Sequence, residues 1–233
     1  MKKISLITLL ACLTIVSSSQ SLIPVKYGIK VGLNSSNLNI SRIEGAKPTT
    51  SSSQIGISAG ACIQIPLSDK WFINPEVLYS NKGASFNYEF THSYEINQSD
   101  EYATTNQLTL SYIELNPTIS FKKSDKIALN FGPAISLLIG EKYTYSQKPI
   151  RDPENIADNT DRFVNTQALD VGLNLGVSYL ISEQFLVDTR VYTGFIKAAE
   201  VTQPYAEVDD IEPPLPSYTL RNRAIVFSFT YLF

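Results

Sequence analysis

Apolar and polar residues alternate with a period of two over most of this chain. At the carboxyl end, Ile225, Phe227, Phe229, Tyr231 and Phe233 share one face, and Ala224, Val226, Ser228, Thr230 and Leu232 share the other. Upstream, Leu169, Val171, Leu173, Leu175, Val177 and Tyr179 alternate with Asp170, Gly172, Asn174, Gly176 and Ser178. Tyr27, Ile29, Val31 and Leu33 likewise alternate with Gly28, Lys30, Gly32 and Asn34. The same rhythm predicts strands over roughly 27–38, 54–65, 71–90, 107–122, 127–145, 167–180, 185–197 and 219–233. Segment five runs Leu129, Phe131, Pro133, Ile135, Leu137 and Ile139 on the apolar side, a parity that puts Tyr143 on the same face.

The connections alternate in length. Ser68-Asp69-Lys70, Ser124-Asp125-Lys126 and Ser182-Glu183-Gln184 are short polar turns. The stretches 39–53, 91–106, 146–166 and 198–218 are long and rich in Ser, Asn, Asp, Glu and Pro, and read as loops at the opposite end. Short turns at one end and long loops at the other are the layout of an outer-membrane barrel.

Eight alternating strands also suit a soluble ligand-carrying barrel, whose polarity is reversed. The polar face decides between the two. It is dominated by Gly, Ser, Asn and Thr, which fit a tight interior, whereas a water-facing surface carries many long charged side chains. The expected fold is therefore all-β, an eight-stranded antiparallel transmembrane β-barrel with short periplasmic turns and long extracellular loops. On the apolar face Tyr27, Trp71, Phe121, Tyr179, Phe185, Tyr231 and Phe233 gather at the short-turn end, as a membrane-interface girdle requires. Tyr143 and Phe195 are candidates for the other girdle.

Composition adds the compartment. Met1-Lys2-Lys3, an apolar run from Ile4 to Val16 and Ser17-Ser18-Ser19-Gln20 read as a secretory signal. Leu9-Leu10-Ala11-Cys12 faintly resembles a lipoprotein cleavage box, but apolar sequence continues beyond Cys12. The expected division is a signal over 1–20 and a barrel domain over 21–233. Loss of Lys2 and Lys3 leaves 17 basic against 22 acidic residues and moves the net charge from −3 to −5, which argues against a nucleic-acid partner. Only Cys62 then remains, so no internal disulfide or cysteine metal cluster is expected.

The chain resembles the PorT-type, or porin-family, outer-membrane β-barrel domain proteins of Bacteroidota. The likeness is carried by Tyr27-Gly28-Ile29-Lys30-Val31-Gly32-Leu33-Asn34, Tyr112-Ile113-Glu114-Leu115-Asn116-Pro117 and Gly132-Pro133. Asp170-Val171-Gly172-Leu173 and Asn222-Arg223 with the aromatic terminus complete it. It implies a barrel in a Gram-negative outer membrane and specifies no activity.

Candidate chemistry lies mainly on the polar face. Lys30, Glu76, Asp188 and Arg190 fall at similar depth counted from the short turns, with Glu114 higher. Charges in a narrow barrel are costly unless paired, so an internal ion-pair network is expected. It reads first as a structural plug, second as a gated ion path, and only third as a catalytic site. His92, the sole histidine, is expected in a solvated loop near Ser93 and Glu95. Cys62 reads as an inert inward filler. The loop 198–218 carries Glu200, Glu207, Asp209, Asp210 and Glu212 without a basic residue, and 91–106 carries Glu95, Asp100 and Glu101. Glu207, Asp209, Asp210 and Glu212 form a candidate loop site for a divalent cation or for cation bridges to lipopolysaccharide, against the plainer reading of solvated acidic loops. Neither a cofactor nor a resident metal is expected. The anticipated partners are outer-membrane lipid and lipopolysaccharide, the barrel-assembly machinery through the C-terminal strand, and an unidentified surface protein.

Overall fold

In the computed structural model, residues 25–42, 50–95, 98–149, 164–202 and 217–233 are described. Ten strands occur in them: β1 Lys26–Arg42, β2 Thr50–Pro66, β3 Trp71–Glu95, β4 Gln98–Lys122, β5 Ile127–Pro149, β6 Val164–Thr166, β7 Leu169–Leu180, β8 Phe185–Gly194, β9 Ala199–Thr202 and β10 Ser217–Leu232. Eight of them close a ring in the order β1-β2-β3-β4-β5-β7-β8-β10, with β10 returning to β1 from Gly28↔Leu232 to Arg42↔Tyr218. All of these pairings are antiparallel. The short β9 and β6 extend the sheet from the Ser217–Leu220 part of β10.

Parity along the ring is uniform. Even-numbered positions point inward on every strand of the ring up to a bulge on β5, so Lys30, Ser58, Glu76, Glu114, Asn174, Asp188 and Ser228 are all buried. Odd-numbered apolar residues such as Ile29, Val31, Leu33, Ile57, Leu175, Val191, Phe227 and Phe229 are exposed. A belt of exposed large apolar side chains around a barrel with a mainly polar lower interior is the arrangement that lipid requires, since no backbone edge is left open.

The three short turns share one hydrogen-bonding scheme. In each, the serine Oγ accepts from the backbone N–H three residues on, at 3.2 Å: Ser68 from Trp71, Ser124 from Ile127 and Ser182 from Phe185. Two backbone N–H groups at the start of each turn donate to the carbonyl of the residue that opens the next strand. These polar turns lie at the same end as both ends of the described barrel, where the Phe233 N–H donates to the Tyr27 carbonyl at 2.7 Å. The aromatics Tyr27, Trp71, Phe121, Tyr179, Phe185, Tyr231 and Phe233 are arrayed around that end. Trp71 packs on Phe121 at 4.8 Å, and Tyr231 lies 5.1 Å from both Phe185 and Phe233.

Glycine is needed where strands crowd inside. A Cβ on Gly60 would stand 2.0 Å from the Val77 carbonyl oxygen, and one on Gly172 would stand 2.5 Å from the Tyr192 ring. Neither position accepts a side chain without a shift of backbone or ring.

Two expectations are corrected. The stretch 91–106 is not a long loop: β3 and β4 pair as one hairpin out to Glu95↔Gln98, with His92 opposite Asp100. Each strand has 25 residues, against about 9–11 for a membrane crossing. Polar sequence rich in Thr and Tyr has good strand propensity, and beyond the bilayer nothing demands an apolar outer face. Strand also enters the other three stretches expected as loops, at 39–42 and 50–53, at 146–149 and 164–166, and at 199–202 and 217–218. Second, Tyr143 does not belong to an outer girdle. The β4–β5 register slips between Ser111↔Gly140 and Tyr112↔Leu138, so Ile139 is an extra residue that reverses parity above it. Tyr143 and Tyr145 consequently turn inward, and the Tyr143 hydroxyl donates to Asn106 Oδ1 at 2.5 Å. Phe195, by contrast, is exposed.

Candidate functional site: the barrel interior

The interior is stacked in layers from the turn end upward. Lowest is a cavity of about 270 Å³, bounded by the turn residues Ser124, Asp125 and Lys126 and by inward side chains including Cys62, Asn74 and Thr230. Its upper limit is a four-membered ion cluster. Lys30 Nζ reaches Glu76 Oε1 at 2.5 Å and Asp188 Oδ2 at 2.8 Å. Arg190 answers from the other side, Nη1 to Glu76 Oε2 at 2.7 Å and Nη2 to Asp188 Oδ1 at 3.2 Å. The Ser228 hydroxyl adds a bond to Asp188 at 2.7 Å. Two cations and two carboxylates, all buried, thus neutralise one another in a closed cycle.

Glu114 sits higher and has a different partner. It faces Lys82 Nζ at 2.8 Å, and that ammonium lies 3.6 Å from the centre of the Tyr192 ring and 5.4 Å from that of Tyr112. Asn116 Nδ2 donates to Glu114 at 3.4 Å, and Asn174 Nδ2 donates to Asn116 at 3.2 Å. Beside this pair, Asn222 Nδ2 bridges Asp170 Oδ2 at 2.8 Å and the Tyr112 hydroxyl at 3.1 Å. Asp170 is fully buried and faces no cation among the described residues, with the Tyr192 hydroxyl beside it as well as Asn222.

Above these layers the lumen turns apolar. Leu38, Ala84, Phe86, Leu108, Leu110, Tyr112, Tyr145, Ala198, Ala199 and Leu220 pack into one buried cluster, joined by Ile40, Leu138, Tyr143 and Val164. This plug fills the loop-end part of the barrel, and the short β9 helps to close it through Ala199.

Of the five interior charges singled out in the sequence, the structure brings Lys30, Glu76, Asp188 and Arg190 together and places Glu114 in a separate pair. Lys82 and Asp170 were missed. Both lie on the inward parity of their strands, so the alternation that marked Glu76 and Asp188 points to them too. Cys62 is buried and unbridged. The acidic residues Glu207, Asp209, Asp210 and Glu212 and the proposed signal over 1–20 lie outside the described residues. Among the described residues no cluster of three or more His, Cys, Asp or Glu side chains is arranged to hold a metal.

A family model described as "Outer membrane protein beta-barrel domain" matches residues 17–200. The chain belongs to this family. Among curated proteins no match is found. Among solved structures the family's barrel is similar to the outer membrane protein OprG from Pseudomonas aeruginosa, at 13% identity and a TM-score of 0.42 over 89% of this chain and 95% of that one. Neisserial surface protein A aligns at 12% identity and a TM-score of 0.39, over 89% and 97%. The outer membrane protease OmpT from Escherichia coli aligns at 10% identity and a TM-score of 0.40, over 93% and 99%.

Proposed function

We propose that this family member is an exported, non-enzymatic outer-membrane protein with a structural or surface-interaction role, its barrel permanently sealed and its loop-end hairpins presented outside the cell. The observation that carries the reading is the apolar cluster around Leu108, Leu110 and Phe86, stacked above the Lys30–Glu76–Arg190–Asp188 cycle and the Lys82–Glu114 pair. A mainly apolar cluster of this kind offers an ion few polar partners, and an eight-stranded barrel leaves room inside only for side chains. The signal over 1–20, periplasmic termini and the PorT-type likeness belong to the same reading. So do contacts with lipopolysaccharide and with the assembly machinery through β10.

A narrow or gated channel is the second reading. The turn-end cavity favours it, because it gives access from one side as far as Lys30 and Arg190. Planar-bilayer conductance of the folded protein beside an Arg190→Ala variant separates the two. Silence from both supports the sealed barrel. Steady conductance in the wild type, altered by Arg190→Ala, overturns it.

A further inference from the structure

The outward face of β10 changes character abruptly between Ile225 and Arg223. Ile225, Phe227, Phe229 and Phe233 are exposed and apolar. Arg223 and Arg221 are the next two outward positions, both exposed. The strand on one side changes at the same height and the strand on the other one pair lower. Ile225 is flanked by Val191 on β8 and already by Ser35 on β1, whereas Arg223 is flanked by Thr193 on β8 and Asn37 on β1, and Arg221 by Asn39. At about 3.3 Å per residue and a tilt near 40°, the rise from Phe233 to Arg223 is about 25 Å, the height of a barrel's apolar band. Arg223 therefore stands at the upper edge of that band, and Arg221 about 5 Å beyond it.

Both guanidiniums lack the partners that the other buried or clustered cations have. Lys30, Lys82, Arg190 and Lys197 each face a carboxylate, whereas Arg221 and Arg223 have none among the described residues. Asn37 reinforces the bias toward donors. Its Oδ1 already accepts from the Leu38 N–H at 2.7 Å and from the Ser51 hydroxyl, which orients the amide and leaves its Nδ2 hydrogens to donate outward. Two arginines one strand repeat apart, with an amide donor alongside, form a donor-rich surface at headgroup depth.

We infer that this face binds the phosphate of a phosphorylated glycolipid in the outer leaflet, with Arg223 and Arg221 as the phosphate ligands and Asn37 as a supporting donor. Guanidinium groups match phosphate oxygens two at a time, and a band edge shields the pair from competing water and salt. The inference rests on the proposed orientation, with the loop end outside.

The test uses the folded full-length protein in neutral detergent, titrated with diphosphorylated lipid A, with its dephosphorylated form and with inorganic phosphate. The wild type retains the diphosphorylated lipid. The Arg221→Gln/Arg223→Gln variant, checked for native mobility on unheated gels, binds it at least about tenfold more weakly, the loss of one charge-assisted hydrogen bond. Equal binding by the variant, or equal binding of the dephosphorylated lipid, overturns the inference. Displacement by inorganic phosphate at equal concentration overturns the lipid assignment in favour of a free-anion site. Labelling of a Lys148→Cys variant by an impermeant maleimide on intact cells checks orientation separately. Absence of labelling refutes the orientation itself, whereas labelling without lipid discrimination refutes only this site.

Discussion

Glu76 and Arg190 grip each other across the lumen, Nη1 to Oε2 at 2.7 Å and Nη2 to Oε1 at 3.2 Å, although β3 and β8 are not neighbours in the ring. The pair is a cross-brace, tying opposite walls through the middle of the barrel. Removing one member strands a buried charge, so Glu76→Ala is expected to cost about 3–5 kcal/mol, and Arg190→Ala a similar amount. The double variant loses less than the sum, because no charge is left alone on that axis. Urea unfolding in detergent or vesicles, followed by gel mobility, measures all three. Additive losses would refute the brace.

Asp170 behaves oppositely. The buried residues include the cations Lys30, Lys82 and Arg190 against the carboxylates Glu76, Glu114, Asp170 and Asp188, and Asp170 is the one without a cationic partner. Asp170→Asn keeps an oxygen for the Asn222 amide and removes an uncompensated charge. It is expected to be neutral or stabilising by about 1 kcal/mol, whereas Asp188→Asn breaks two ion pairs and destabilises. Paired urea midpoints check the contrast. Equal losses from the two substitutions would show that Asp170 is as well compensated as Asp188.

The apolar plug and the ion cluster are barriers in series. Leu108→Ala should cost about 2–5 kcal/mol through the cavity it leaves. Combined with Phe86→Ala and Leu110→Ala it opens the loop end, but the Glu76–Arg190 brace still closes the lumen below. Bilayer conductance is expected only when the plug variant also carries Arg190→Ala. Conductance from the plug variant alone would show that the charge layer is no seal.

Much of this architecture is legible in the sequence because one face of every strand is chemically uniform. Strict alternation from Leu169 to Tyr179 fixes β7 and its inward Asp170, Asn174 and Ser178, and the Ser-Asp-Lys turns fix which strands pair. The β3–β4 extension was hidden because Thr91 to Glu95 and Gln98 to Asn106 show no apolar alternation, and such polar sequence reads as loop. The β5 bulge was hidden because Ile139-Gly140 carries no sign of an extra residue. It is visible only in the Ser111 register with Gly140, and it sends Tyr143 inward. Lys30, Glu76, Asp188 and Arg190 were readable as interior charges at one depth, but not that both cations share both carboxylates, nor that Glu114 pairs with Lys82 instead. Which charges meet depends on strand stagger, and alternation says nothing of stagger.

Trp71 gives the barrel a built-in depth gauge. It is the only tryptophan, it is 41% exposed, and it opens β3 directly after the Leu67–Lys70 turn, packed on Phe121. An indole at the turn-end edge of the apolar belt should lie at headgroup depth, its ring in lipid and its N–H near water. In vesicles of brominated phospholipids its emission is expected to be quenched most by bromines placed high on the acyl chain and least by those near the chain end. Ile127, Tyr179 and Phe185 stand near the same end and give the comparison: a tryptophan at any of them, in a Trp71→Phe background, should show the same depth profile. A tryptophan at Val31 or Leu175, higher in the belt, should reverse it. Indifference of every position to the bromines would mean that the exposed apolar face does not meet lipid, and the membrane assignment would fall with it.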